Sequence, residues 1–133
     1  MSEYLKPLPK PTAISRPFWD AAKRHELMLQ RCGACHKFIY YPRPQCPHCM
    51  SDRLAWERCS GAGKLYSFTV VRRAASRAFA DAPYVLAIVE LAEGPRMTTN
   101  IEAPPEQLRV DMPVIVFFDD VTPERTLVKF KPA

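Results

Sequence analysis

Apolar and polar residues alternate with period two in several runs along the second half of the chain. Lys64-Leu65-Tyr66-Ser67-Phe68-Thr69-Val70-Val71 alternates, and so does Tyr84-Val85-Leu86-Ala87-Ile88-Val89-Glu90-Leu91. This periodicity predicts strands over 64–73 and 84–92, with further strands over 96–102, 113–119 and 126–131. Val114-Ile115-Val116-Phe117-Phe118 is a near-continuous apolar run suited to a core strand. Nothing after residue 30 reads as helix except a turn near Pro105–Leu108. Five strands in about 70 residues without an intervening helix suit a small Greek-key barrel of the OB type, with an SH3-like barrel as the nearest competitor. By period two, Tyr66 and Phe68 are core residues of a barrel strand.

The front of the chain follows a different pattern. Ser15 before Arg16-Pro17 has the form of a helix start, with serine as N-cap and proline near the first helical position. A helix over 16–25 puts Phe18 and Ala22 on one face with Trp19 and Lys23 beside them, and Trp19 is expected to dock within the chain. Leu27, Leu29 and Arg31 then alternate into Cys32. Phe38-Ile39-Tyr40-Tyr41 and Leu54-Ala55-Trp56-Glu57-Arg58-Cys59 are two more short strands. Gly61-Ala62-Gly63 marks a boundary. The chain therefore divides into an N-terminal arm and helix (1–26), a small β-ribbon (27–58) and a barrel (59–133). Pro7, Pro9 and Pro11 stiffen the arm toward polyproline and forbid a helix there.

Cysteine spacing adds chemistry to the ribbon. Cys32-Gly33-Ala34-Cys35 and Cys46-Pro47-His48-Cys49 are paired Cys-x-x-Cys turns, each aiming two thiolates at one point. Four sulfurs close a tetrahedron around one zinc and leave no position for water, so the metal is structural rather than hydrolytic. His36 and His48 lie within the knuckles but outside this ligand set. Cys59 lies in a strand-like stretch and is expected to be a packed thiol.

Composition changes the picture little. Hydrophobic residues at 47% and charged residues at 25% are those of a globular chain, and no run approaches the ~20 apolar residues of a membrane span. The N-terminal sequence has no apolar leader core, and with reduced cysteines it points to the cytoplasm. A formal charge of +5 favours anionic partners, although the basic residues are scattered. The longest irregular connection, 74–83, carries Arg77 and an apolar Phe79 just after Arg72-Arg73, and is the place to look for binding.

Further motifs stand around these. Phe18-Trp19 and Leu27-x-Leu29-Gln30-Arg31-Cys32-x-x-Cys35 come first, followed by Tyr41-Pro42-Arg43-Pro44-x-Cys46-Pro47-x-Cys49-x-Ser51. Gly61-x-Gly63-x-Leu65-Tyr66-Ser67-Phe68-Thr69-Val70-Val71, Pro83-Tyr84 and Val89-Glu90-Leu91-x-Glu93-Gly94-Pro95 complete the set. Together they resemble the acyl-CoA-associated Zn-ribbon OB-fold family from about residue 15 onward. Two positions depart from its pattern: His36 and Asp111 stand where glycine is common, and Asp tolerates a positive φ better than most residues.

The resemblance implies a mainly β protein with a short N-terminal helix, a rubredoxin-like zinc ribbon and a five-stranded OB-type barrel. It implies a non-catalytic accessory subunit, one that forms a hetero-oligomer with a thiolase-like acyl-CoA enzyme and helps shape the acyl-CoA site. The partner would carry the catalytic residues. Coenzyme A presents phosphates and a purine, for which Arg72, Arg73, Arg77 and Phe79 are the candidate contacts. The alternative is a nucleic-acid-binding ribbon and barrel, with Tyr66 and Phe68 on an exposed groove.

Overall fold

The computed structural model describes Tyr4 and residues 6–133; the rest of the N-terminal segment, Met1–Glu3 and Leu5, lies outside the described residues. Its elements are one helix, α1 (Arg16–Lys23), and eight strands. Three strands form the ribbon: β1 (Met28–Cys32), β2 (Phe38–Ile39) and β3 (Leu54–Arg58), in the order β2-β1-β3. The other five form the barrel sheet: β4 (Ala62–Val71), β5 (Tyr84–Leu91), β6 (Arg96–Asn100), β7 (Pro113–Asp119) and β8 (Leu127–Pro132), in the order β6-β5-β4-β7-β8. All neighbours in the two sheets pair antiparallel. The edges of the larger sheet meet through one parallel bridge, Ile101 to Phe130, and through Thr99 Oγ1 donating to the Val128 carbonyl at 3.0 Å. This curled five-stranded sheet with Greek-key connections is the OB arrangement. Short 3-10 turns occur at Pro105–Gln107, as expected, and at Arg77–Phe79 inside the long connection.

Helix α1 buries Phe18, Ala21 and Ala22, a spacing of three and four that makes one face. Phe18 meets Trp19, Tyr40 and Tyr41 edge-on, and Trp19 Nε1 donates to Tyr41 Oη at 3.0 Å, so the tryptophan does dock within the chain. The N-cap expectation needs correcting. Ser15 occupies the N-cap position, but its hydroxyl accepts from the Thr12 amide at 2.9 Å, while Thr12 Oγ1 accepts from the Ser15 amide at 3.1 Å. The pair stabilises the turn before the helix rather than its first free amides.

The helix also ends two residues earlier than expected. His25 takes φ 62, its amide donates to Ala22, and the Glu26 amide donates to Ala21, each at 2.9 Å. This is a Schellman cap with histidine where glycine is usual. The imidazole then stacks on Phe118 at 5.3 Å and bonds Asp120 at 3.0 Å, tying the helix end to the β7–β8 connection. Thr126 first, and His25 second, hold the Asp120 carboxyl below the usual carboxylate range. A depressed carboxylate stabilises the fold above its unfolded value of about 3.9, and that contribution is lost as the pH falls through the folded value. Asp120→Asn is therefore expected to lower the melting temperature at pH 6 and to lower it less at pH 3. Equal differences from the parent at both pH values would refute the linkage.

One core runs through the whole molecule. Phe18 from α1 and Leu27 and Leu29 from the ribbon are buried together with Leu65, Val85, Val89, Met97, Val114 and Phe130 of the barrel. The ribbon's own cluster is far smaller: Cys32, Ile39 and Cys46, with Cys35 and Leu54 at its margin. Cys59 belongs to the large core. Burial first, and the nearby Glu93 charge second, push its thiol up to about 12, so it is the packed, un-ionised cysteine that the sequence suggested.

Two strands depart from the sequence expectation. Register shifts between Leu65 and Ser67 on β4, so Tyr66 is the extra residue of a β-bulge. Leu65 is buried, Tyr66 is 41% exposed with the Arg96 guanidinium 3.8 Å over its ring, and Phe68 returns half-buried to the core. Tyr66 is thus not a core residue. On β7 only Val114 is fully buried, because β4 pairs with it for just three residues, Ala62 to Lys64, before the strands part. Its apolar run is half-buried rather than a strand covered on both faces. No helix among the described residues is long and apolar enough to cross a membrane.

Candidate metal centre

Each Cys-x-x-Cys turn is built by the same backbone bonds. In the first, the Cys32 amide donates to Lys37 O at 3.0 Å and the His36 amide to Cys32 O at 2.9 Å. In the second, the Cys46 amide donates to Ser51 O and the Met50 amide to Cys46 O, both at 2.8 Å. Amides also point at sulfur: Ala34 and Cys35 donate to Cys32 Sγ at 3.3 and 3.4 Å, and His48 to Cys46 Sγ at 3.4 Å. The Cys35 amide is the largest influence holding the Cys32 thiol down to about 6. Burial, the largest influence, raises the Cys46 thiol, but hydrogen bonds from the His48 and Cys49 amides and the Cys35 and Cys49 thiols together bring it below its ordinary value. Both sulfurs are thereby favoured as thiolates, the form that binds metal.

The four Sγ atoms of Cys32, Cys35, Cys46 and Cys49 lie within 4.8 Å of one another, with Cys32–Cys49 at 3.5 Å and Cys35–Cys46 at 3.6 Å. A tetrahedron of 2.3 Å Zn–S bonds requires sulfur–sulfur edges of about 3.8 Å. The cluster therefore fits one zinc ion with four protein ligands. Ile39 and Leu54 pack against it from the ribbon side. His36 and His48 stay outside the four-sulfur cluster and line a cleft between ribbon and barrel.

Both knuckles end on a residue with left-handed backbone, His36 at φ 65 and Met50 at φ 67. Asp111, the other position where glycine is common, has φ 72. The sequence flagged His36 and Asp111. It missed Met50, because methionine carries no turn signature and only the symmetry with His36 could have exposed it. Left-handed backbone costs a side chain about 1–2 kcal/mol and costs glycine nothing comparable. His36→Gly is expected to keep one zinc per chain and to raise the melting temperature slightly. His36→Val should lower it by several degrees, and equal losses in both variants would remove this account.

The expected coenzyme contacts lie at the far end of the barrel. Arg72, Arg73 and Arg77 are exposed, and their guanidinium groups form no hydrogen bond or ion pair among the described residues. Phe79 is not a free apolar side chain. It is half-buried, its ring centroid is 6.1 Å from that of Tyr84, and the Lys6 ammonium sits 5.7 Å from it. Lys6 is itself paired with Asp81 at 2.6 Å, so the proline-rich arm closes over this end of the barrel. Farther along, Arg125 Nε donates to Pro9 O at 3.2 Å and anchors the arm again.

Residues 19–55 match the family described as ChsH2, rubredoxin-like zinc ribbon domain, and residues 56–119 match that described as ChsH2, C-terminal OB-fold domain. The chain is 34% identical over 116 residues to a DUF35 domain-containing scaffold protein of Methanocaldococcus jannaschii, covering 86% of this chain and 82% of that protein. It is 41% identical over 129 residues to a probable enoyl-CoA hydratase alpha subunit of Thermomonospora curvata. That match covers 94% of this chain but only 40% of the hydratase subunit, so the chain spans well under half of that relative. Among solved structures, a chain of the Ltp2-ChsH2(DUF35) aldolase superposes with a TM-score of 0.83 at 37% identity, over 93% of this chain and 98% of that one.

Proposed function

The chain belongs to the DUF35 family of zinc-ribbon OB-fold proteins, and from that membership we propose that it is a non-catalytic accessory subunit. Its partner is a thiolase-like acyl-CoA enzyme, joined in a hetero-oligomer that works in the cytoplasm. The partner supplies the catalytic groups, and this chain helps to form or brace the acyl-CoA site. The observation that carries the reading is the superposition, over nearly the whole of both chains, on a chain of the Ltp2-ChsH2(DUF35) aldolase. The zinc supplies no reaction step, since four sulfurs leave no ligand position open. It fixes the ribbon that carries Leu27 and Leu29 into the barrel core.

Co-purification with candidate enzymes tests the partner. A stable complex with a thiolase-like enzyme on size exclusion supports the reading. Elution apart from every such enzyme, or association with a hydratase alone, would overturn the thiolase assignment. In the assembled complex Arg72, Arg73 and Arg77 form a cationic rim for the phosphates of the coenzyme, with Phe79 behind them. Arg77→Glu is expected to weaken acyl-CoA affinity of the complex by about tenfold, the scale of one charge-assisted hydrogen bond. Calorimetry showing unchanged affinity would remove the rim from the site.

A further inference from the structure

A cleft of about 670 Å³ lies between the ribbon and the β5–β6 turn. That volume and its place between two structural units are those of a small-molecule site. One wall comes from the ribbon. Phe38 of β2 and Tyr40 just after it both line the cleft, with the Arg31 guanidinium 5.0 Å from the Phe38 ring and Phe18 and Tyr41 edge-on to Tyr40. Both aromatics are half-buried, and they bring ring surface to the cleft. Lys37 and the imidazoles of His36 and His48 also line it, and none of the three side chains has a hydrogen-bond or ion-pair partner among the described residues.

The opposite wall carries Glu93. Its Oε2 accepts from the Ser60 amide at 2.9 Å, while its Oε1 is buried and has no partner among the described residues. With no accessible surface, that oxygen is closed to the cleft, and Glu93 serves the wall by bracing the β5–β6 turn against Ser60. The cleft thus combines aromatic surface with one uncommitted ammonium, that of Lys37. An inorganic anion would use only the second of these. A nucleoside phosphate uses both: base on the aromatics and phosphate on Lys37.

We propose that the ribbon–barrel cleft is a binding site for a nucleoside phosphate, held by Phe38, Tyr40 and Lys37. The ligand is either a free nucleotide or the nucleotide head of coenzyme A. The site stands apart from the cationic rim, because β5 runs from Tyr84 near the rim to Leu91 near the cleft, roughly 25 Å for its eight residues. The phosphates of one ligand cannot occupy both ends.

Calorimetry on the zinc-loaded full chain with ADP, adenosine 3′,5′-bisphosphate, coenzyme A and inorganic phosphate decides the matter. Either nucleotide is expected to bind about tenfold or more tightly than inorganic phosphate, the difference a base–aromatic stack supplies. Lys37→Glu should weaken nucleotide binding by about tenfold. Lys131→Glu, the same charge change at an exposed position on β8, should leave it unaltered. Coenzyme A binding that is sensitive to Lys37→Glu identifies the coenzyme head as the source, and binding of ADP without coenzyme A identifies a free nucleotide. No nucleotide binding, equal losses in the two lysine variants, or equal affinity for inorganic phosphate would each overturn the site. Loss of binding in Arg77→Glu with none in Lys37→Glu would place the nucleotide at the rim instead. Failure to find a thiolase-like partner bears only on the subunit reading, since these measurements need no partner.

Discussion

Stripping the metal from the four sulfurs is expected to unfold the ribbon and to lower the melting temperature of the whole chain by roughly 10 °C or more. Residues 27–58 have little apolar surface of their own to hold them, with Ile39 the one fully buried large side chain beside Cys32 and Cys46. A unit of that size needs a staple, and metal binding in such a site is folding free energy. Loss would not stop at the ribbon, because Leu27 and Leu29 sit in the barrel core and Phe18 packs beside them. Elemental analysis should give one zinc per chain, falling to none under a strong chelator as the melting curve shifts. Cys32→Ser, at a fully buried sulfur, should be more damaging than Cys49→Ser at an exposed one. Cys59→Ala should keep the full complement of zinc, which separates the fifth cysteine from the four ligands. A chain that melts unchanged after stoichiometric zinc removal would end this account of the ribbon.

What could be read without coordinates follows from how local each signal is. Two Cys-x-x-Cys turns advertise their geometry within four residues, and the metal cluster stands where their spacing put it. The five barrel strands were legible because alternation survives over most of each strand. Tyr66 was misread because one bulge residue reverses the face of everything before it, and only pairing with β5 reveals the shift. Phe79 looked free because its cover, Lys6, lies far away in sequence and arrives with the arm. Glu93 carried no signal at all. Its role, accepting from the Ser60 amide, is a product of tertiary packing.

The second large effect is expected from a single methyl group at Gly63. A Cβ there would stand 2.6 Å from the Glu90 carbonyl oxygen and 3.0 Å from Val89 Cγ1. The first of these is backbone on the partner strand, so it cannot swing aside as a side-chain tip would. Relief requires β4 and β5 to separate where Gly63 faces Leu91 and where the Ala92 amide donates to Ala62 O at 2.9 Å. Gly63→Ala is therefore expected to cost about 3 kcal/mol, within the range of overpacked core sites, and to lower the melting temperature by about 10 °C. Gly94→Ala is the control for backbone strain alone: φ is +116 but nothing lies within 4 Å of the added carbon, so a smaller loss of about 1–2 kcal/mol is expected. Urea denaturation of both variants reads the difference directly, and a Gly63→Ala loss no larger than that of Gly94→Ala would refute the close approach of the two strands. The site and the fold are coupled at this point, because the end of β5 leads straight into Glu93. Strands forced apart at Gly63 would pull that carboxylate from the Ser60 amide, so Gly63→Ala should also weaken any ligand held in the ribbon–barrel cleft.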